Sequence, residues 1–204
     1  MKVIAHRGIT SDNIRENSYL AIKRALKDKN IDGVELDIRM TKDKKIVLNH
    51  GSNIGFNYIE NMNYIDIIKE KYITTLDKVL SINTDKILFI DIKVNHNYKK
   101  FADLIIKELS LTNKNIYLAS FNKNIIKYLK RKTKHKVGLI SFYYRRNSFK
   151  FCALNYISVS SKKLSKITKE IFLWTINKNN LQYVKNKFLK LDSYNLIMDI
   201  KRDD

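Results

Sequence analysis

Apolar residues along the chain collect into short runs, β-branched or aromatic and fenced by polar neighbours, at positions 2–5, 33–38, 87–92, 116–120, 137–141, 156–159, 171–176 and 195–198. Such runs predict buried β-strands. Between several of them the spacing turns helical. Residues 18–29 set Tyr19, Ile22, Ala25 and Leu26 on one stripe, and residues 98–109 do the same with Phe101, Leu104, Ile105 and Leu109. Residues 122–131 and 179–188 repeat the pattern more weakly. One further run, 46–48, follows the second strand after only a short polar stretch from Thr41 to Lys45. A parallel crossover needs about a dozen residues, so this run predicts an antiparallel hairpin. Setting it aside leaves strand-then-helix units in the number of a parallel (β/α)8 TIM barrel, with a small hairpin excursion after the second strand. A doubly wound open sheet is the rival arrangement, and residues 143–154 read as either helix or loop.

Composition adds bounds. The chain of 204 residues is 44% hydrophobic, enough for one sizeable core, and residues 1–204 read as a single domain. It holds no Pro and only five Gly, so punctuation marks no internal boundary. No run approaches the roughly 18 apolar residues of a membrane span, and no signal peptide is evident at the start, so a soluble cytoplasmic protein is expected. The lone Cys152 excludes an internal disulfide or a cysteine metal cluster, and its apolar neighbours make it a small buried hydrophobe. Forty Lys and Arg against twenty Asp and Glu give a net charge of +20. That field attracts polyanions such as anionic lipid or nucleic acid, although the scattered lysines fit a compositional bias better.

The chemistry-bearing residues fall where a barrel would gather them, at the carboxyl ends of its strands. His6 and Arg7 end the first run, Glu35 and Asp37 lie in the second, and Asp91 and Lys93 end the third. Side chains two apart on a strand share a face, so Glu35 and Asp37 project together, as do Asp91 and Lys93. Adjacent carboxylates repel unless a cation or a proton intervenes. Folding the hairpin about residue 43 or 44 returns His50 to those carboxylates. Carboxylates for a hard divalent ion, cations for a phosphate and two histidines for protons make a set suited to a phosphodiester. His96 and His135 read as surface residues.

These motifs resemble the glycerophosphodiester phosphodiesterase family. His6-Arg7-Gly8, Glu16-Asn17-Ser18, Glu35-x-Asp37, Thr41-Lys42-Asp43 and Val47-Leu48-Asn49-His50 follow its order. Shorter matches at Asp91-Ile92-Lys93, Ser120-Phe121, Trp174-Thr175-Ile176-Asn177 and Ile197-Met198-Asp199 extend the likeness over nearly the whole chain. The resemblance implies hydrolysis of a glycerophosphodiester to glycerol 3-phosphate and an alcohol, with one divalent metal ion, Mg or Ca. It implies Glu35, Asp37 and Asp91 as metal ligands, His6 and His50 as the acid/base pair, Arg7 and Lys93 on the phosphate, and Glu16 and Trp174 lining the substrate pocket.

Three departures stand out. Asp91 takes the place of the family's longer Glu, Gly51 follows His50 where the family has Asp, and the segment after His50 is short for a covering cap. They keep two alternatives open: a catalytically weakened barrel that binds phospholipid or nucleic acid, and a related phospholipase D-like phosphodiesterase acting on lipids.

Overall fold

The computed structural model describes residues 1–191 and 193–203. In chain order it holds β1 (Val3–Thr10), α1 (Tyr19–Lys27), β2 (Gly33–Met40), β3 (Ile46–Leu48), β4 (Asn53–Ile54), β5 (Asn57–Tyr58), α2 (Tyr64–Glu70), α3 (Leu76–Leu80) and β6 (Ile87–Ile92). Then come α4 (Tyr98–Leu109), β7 (Ile116–Ser120), α5 (Lys123–Lys132), β8 (Lys136–Ser141), β9 (Phe151–Asn155), α6 (Ser161–Leu164), β10 (Glu170–Ile176), α7 (Leu181–Lys187) and β11 (Asn195–Lys201). Strands β1, β2, β6, β7, β8, β9, β10 and β11 pair in parallel, and β11 returns to β1. The sheet therefore closes into a (β/α)8-type barrel, and the open-sheet alternative falls away.

Burial on both faces explains why most of these strands read as continuous apolar runs. One face fills the barrel with Ile4, Phe89, Tyr117, Phe151 and Phe172. Phe89 meets Phe172 at 5.1 Å between ring centroids and Tyr117 meets Phe151 at 5.2 Å. The other face packs under the helices, where Ile22, Ala25 and Leu26 of the expected α1 stripe and Phe101, Ile105 and Leu109 of the expected α4 stripe are buried, whereas Tyr19 and Leu104 are only half-buried and Ala21 and Ala102 fill the buried faces instead. Ser18 caps α1 by accepting from the Ala21 amide, and Asn122 caps α5 by accepting from those of Asn124 and Ile125.

In β2, Glu35 and Asp37 pair directly with Phe89 and Asp91 of β6. The carboxylates therefore continue the aromatic layer upward, toward the carboxyl ends of the strands. The opposite end is closed by Glu170, which accepts from Tyr117 Oη at 2.9 Å, Asn195 Nδ2 at 3.1 Å and Lys2 Nζ at 3.3 Å, with Lys136 Nζ also at 3.3 Å.

Strand β3 runs antiparallel to β2 with Ile38 opposite Leu48, the hairpin expected from the short connection. Two readings need correction. The strand placed at 156–159 lies instead at Phe151–Asn155, so residues 143–150 form a loop and no helix joins β8 to β9 among the described residues. Ile157, counted as strand, is 64% exposed in the turn beyond. The span between His50 and β6 is also more built than its length suggested. It holds the β4–β5 hairpin and α2 and α3, and Ile54, Ile59, Met62, Ile67 and Ile73 pack on Val47 as a small core of their own. No helix among the described residues is long and apolar enough to cross a membrane.

Candidate active site

Strand β1 loses its register with β11 between Ala5 and Ile9, where Arg7 (φ 56°) and Gly8 (φ 93°) take left-handed backbone conformations. A Cβ on Gly8 would stand 2.5 Å from the backbone of Ala21, so only glycine lets α1 pack against this bulge. The kink points the Arg7 amide at Glu35, donating to Oε2 at 3.0 Å. It also leaves His6 on the wall of a cavity of about 210 Å³ at the mouth of the barrel.

That cavity gathers His6, Arg7, Glu35, His50, Asp91, Lys93 and Trp174 from the expected set, together with Phe121, Thr175 and Asp199. Asp37 lies just beneath, 1% exposed. Its Oδ2 accepts from Asn17 Nδ2 at 2.8 Å and pairs with Arg7 Nε at 3.0 Å, while Oδ1 pairs with Lys93 Nζ at 3.0 Å. Asn17 also accepts from the Asp37 amide at 3.1 Å. Asp91 Oδ2 accepts from Lys93 Nζ at 2.5 Å. Glu16 does not line this cavity; it reaches the site through Arg7, accepting from Nη1 at 2.8 Å. His96 stays at the surface beside Glu60.

Glu35, Asp37 and Asp91 each offer an oxygen within 4.8 Å of the others. Burial, aided by the neighbouring Asp37, pushes the Glu35 carboxyl up to about 8. Burial likewise lifts Asp91 to about 6 against the pull of Lys93. Asp37 stays below the usual carboxylate range despite its burial, because Lys93, Arg7 and Asn17 all favour its anion. Asp91 Oδ1 is buried with no hydrogen-bond partner, and Asp37 Oδ1 has no aligned donor. Clustered, crowded and partly unsatisfied oxygens are the donor set a hard divalent cation takes. The shorter Asp91 still meets the other two, since it sits directly opposite Asp37 in the β2–β6 register.

The two histidines differ in setting. His6 Nδ1 is 2.5 Å from Asp199 Oδ1, and its Nε2 lies 3.8 Å from Glu35 Oε2. Burial alone would lower its pKa, but Glu35 and Asp199 outweigh that and raise it. His50 is held low by lost hydration, with Arg7 and Lys93 adding to the effect. The chain at His50 is gripped from behind by Arg39, whose Nη2 and Nε donate to the His50 carbonyl at 2.7 and 3.2 Å. Asp199, Asn17 and Arg39 were not singled out from sequence as site residues. Their signals were the short matches at 197–199 and 16–18 and, for Arg39, none.

Trp174 packs edge-on against Phe121 and Phe142 at 5.9 and 5.3 Å between centroids, and its buried indole N–H has no partner. Thr175 next to it has φ 72°, rare for a β-branched residue, and is held there by Asn155 donating to its hydroxyl and Asn180 to its carbonyl.

The sequence pattern described as the Glycerophosphoryl diester phosphodiesterase family matches residues 6–193. The chain belongs to that family. Among curated proteins it is 30% identical to a glycerophosphodiester phosphodiesterase of Caldanaerobacter subterraneus subsp. tengcongensis, a match covering 68% of this chain and 65% of that protein. An uncharacterized protein of Mycoplasma genitalium is 32% identical, with 68% and 67% covered. In fold, it resembles an Oleispira antarctica phosphodiesterase in complex with the product sn-glycerol-3-phosphate, at TM-score 0.82 and 16% identity, covering 98% of this chain and 93% of that one. A glycerophosphodiester phosphodiesterase from Thermotoga maritima superposes at TM-score 0.76 and 23% identity, covering 97% and 93%. The family signatures at His6-Arg7-Gly8 and Glu35-x-Asp37 thus meet at the mouth of a family-like barrel.

Proposed function

We propose that residues 1–204 act as one phosphodiesterase unit that hydrolyses a glycerophosphodiester to glycerol 3-phosphate and an alcohol, using one divalent ion, Mg or Ca. The carrying observation is the Glu35, Asp37 and Asp91 cluster, roofed by Arg7 and Lys93 in a cavity edged by His6 and His50. The activity named for the Caldanaerobacter relative and the product named for the Oleispira structure support the same reading.

Glu35, Asp37 and Asp91 would hold the ion, which when bound would offset charge on the phosphoryl oxygens. Arg7 and Lys93 stand over the same cluster and would hold those oxygens by charge-assisted hydrogen bonds. The histidine environments divide the proton work, because neighbouring titratable groups pushed in opposite directions mark acid and base. His6, with Nδ1 held by Asp199, keeps Nε2 toward the cavity and would protonate the departing alcohol. His50, held neutral, would take a proton from the water whose oxygen forms the new P–O bond as the bond to the alcohol breaks. Glu16 would position Arg7, and the unpartnered Trp174 N–H would meet a substrate oxygen.

The reading is tested by incubating the protein with a panel of glycerophosphodiesters, with Mg, with Ca and with chelator. Release of glycerol 3-phosphate that chelator abolishes is the expected result. No release with either ion would leave the binding-module alternative in its place.

A further inference from the structure

Arg39 is only 9% exposed and forms no ion pair within 4 Å among the described residues; Asp37, Asp91 and Glu60 act on it only through longer-range attraction, which burial outweighs. Its partners are all neutral: the His50 carbonyl, bonded twice, and Asn95 Oδ1 at 3.3 Å. A buried charge ordinarily has an ionic partner, because desolvating it alone is costly. Arg39 lines a cleft of about 340 Å³ at the carboxyl ends of β6 and β7, with Asn95, Ser120 and Asn122 on its walls. Asp91, Lys93 and Phe121 line both this cleft and the reaction cavity, so the two are contiguous. The carboxylate in the cleft, Asp91, is already engaged by Lys93, so Arg39 feels it only at longer range and has no ion pair of its own among the described residues.

We infer that this cleft is a second anion subsite, and that the favoured substrates are glycerophosphodiesters whose alcohol carries its own phosphate. The inference rests on the hydrolytic reading above and names the leaving group. A diester seated over Arg7 and Lys93 would extend past Phe121 and set the far phosphate of its alcohol against Arg39. Asn95 and Asn122 supply neutral polar walls there. A planar guanidinium, with donors left over beyond its three bonds, suits a phosphate better than a lysine would.

The test compares two substrates that differ by one phosphate: glycerophosphoglycerol, and the same diester phosphorylated on its second glycerol. For the unaltered protein with its metal, kcat/KM is expected to favour the phosphorylated diester by at least about tenfold, carried mainly by KM; a charge-assisted contact of this kind contributes about 1.5–3 kcal/mol. In Arg39→Gln the ratio should fall to within about twofold. Because Arg39 also braces His50, absolute turnover may not be compared between variants; only the ratio is read. Asn122→Asp is the second variant. It keeps an equally good cap for α5 but places a negative charge on the cleft wall, so the ratio should again collapse. A ratio near one in the unaltered protein, or one that survives both substitutions, overturns the subsite while leaving the hydrolytic reading in place. Cleavage of neither diester overturns that reading, and this inference falls with it.

Discussion

Asp199 Oδ1 lies 2.5 Å from Nδ1 of His6, joining the last strand of the barrel to the first. The contact fixes the imidazole by one nitrogen and leaves the other toward the cavity. Asp199→Asn should lower kcat by about tenfold or more with little change in KM, since it alters an orienting group and not a substrate contact. The carboxylate also favours the imidazolium. Its loss lowers the His6 pKa, so the alkaline limb of the kcat profile should move to lower pH. An unchanged limb would remove Asp199 from the proton path.

His6→Ala and His50→Ala should each reduce turnover by roughly two to four orders of magnitude, the usual contribution of a positioned acid or base. Neither side chain belongs to the packed core, so thermal melting should barely shift. Near-normal turnover in either variant would exclude that histidine.

The carboxylate cluster can be read without catalysis. Addition of Mg or Ca should raise the melting temperature, with about 2.7 kcal/mol expected at a hundredfold excess over Kd. Asp91→Asn should weaken that response sharply, because it keeps the shape and removes the charge that a hard cation needs. Asp91→Glu should retain it. A metal response unaltered in Asp91→Asn would show that Asp91 is not a ligand.

At the far end of the barrel, Glu170 is held below its ordinary pKa of 4.5: burial raises it, but Tyr117, Lys136 and Lys2 outweigh that. A carboxylate with a lowered folded pKa stabilises the fold above its unfolded value, and that contribution is lost as pH falls through the folded one. Glu170→Gln should therefore cost about 1–3 kcal/mol at neutral pH and progressively less below about pH 4.5. Denaturant melts at pH 7 and pH 3 check this, and an equal loss at both would show that charge is not involved.

What could be read in advance follows from the physics of each segment. Strands β1, β2, β6, β7, β8, β10 and β11 are buried along much of their length and each carries at least one β-branched residue, so the sequence pattern finds them. Strand β9 has none: Phe151-Cys152-Ala153-Leu154-Asn155 lacks a single β-branched residue. The following Tyr156-Ile157-Ser158-Val159 has two, and drew the assignment past the true strand. In the site, spacing along one strand brought Glu35 to Asp37, and a short connection returned His50 to them. The short match at 197–199 marks Asp199 without giving its partner, and nothing in the sequence marks Arg39; their contacts come from the folded arrangement. Asp199 matters because β11 lies beside β1, and Arg39 because the chain after β3 brings the His50 carbonyl and the chain after β6 brings Asn95 to its guanidinium, neither of which is a property of neighbouring residues.

The seam between β1 and β11 also sets an order of events during synthesis. His6 is made with the first strand of the barrel, yet its aspartate partner arrives only with the last of the eight. A nascent chain lacking β11 has most of its carboxylates, cations and aromatic filling, but an unpaired edge on β1 and an untethered histidine. The proposed hydrolytic capacity should thus switch on at ring closure and not accumulate gradually as the strands are added.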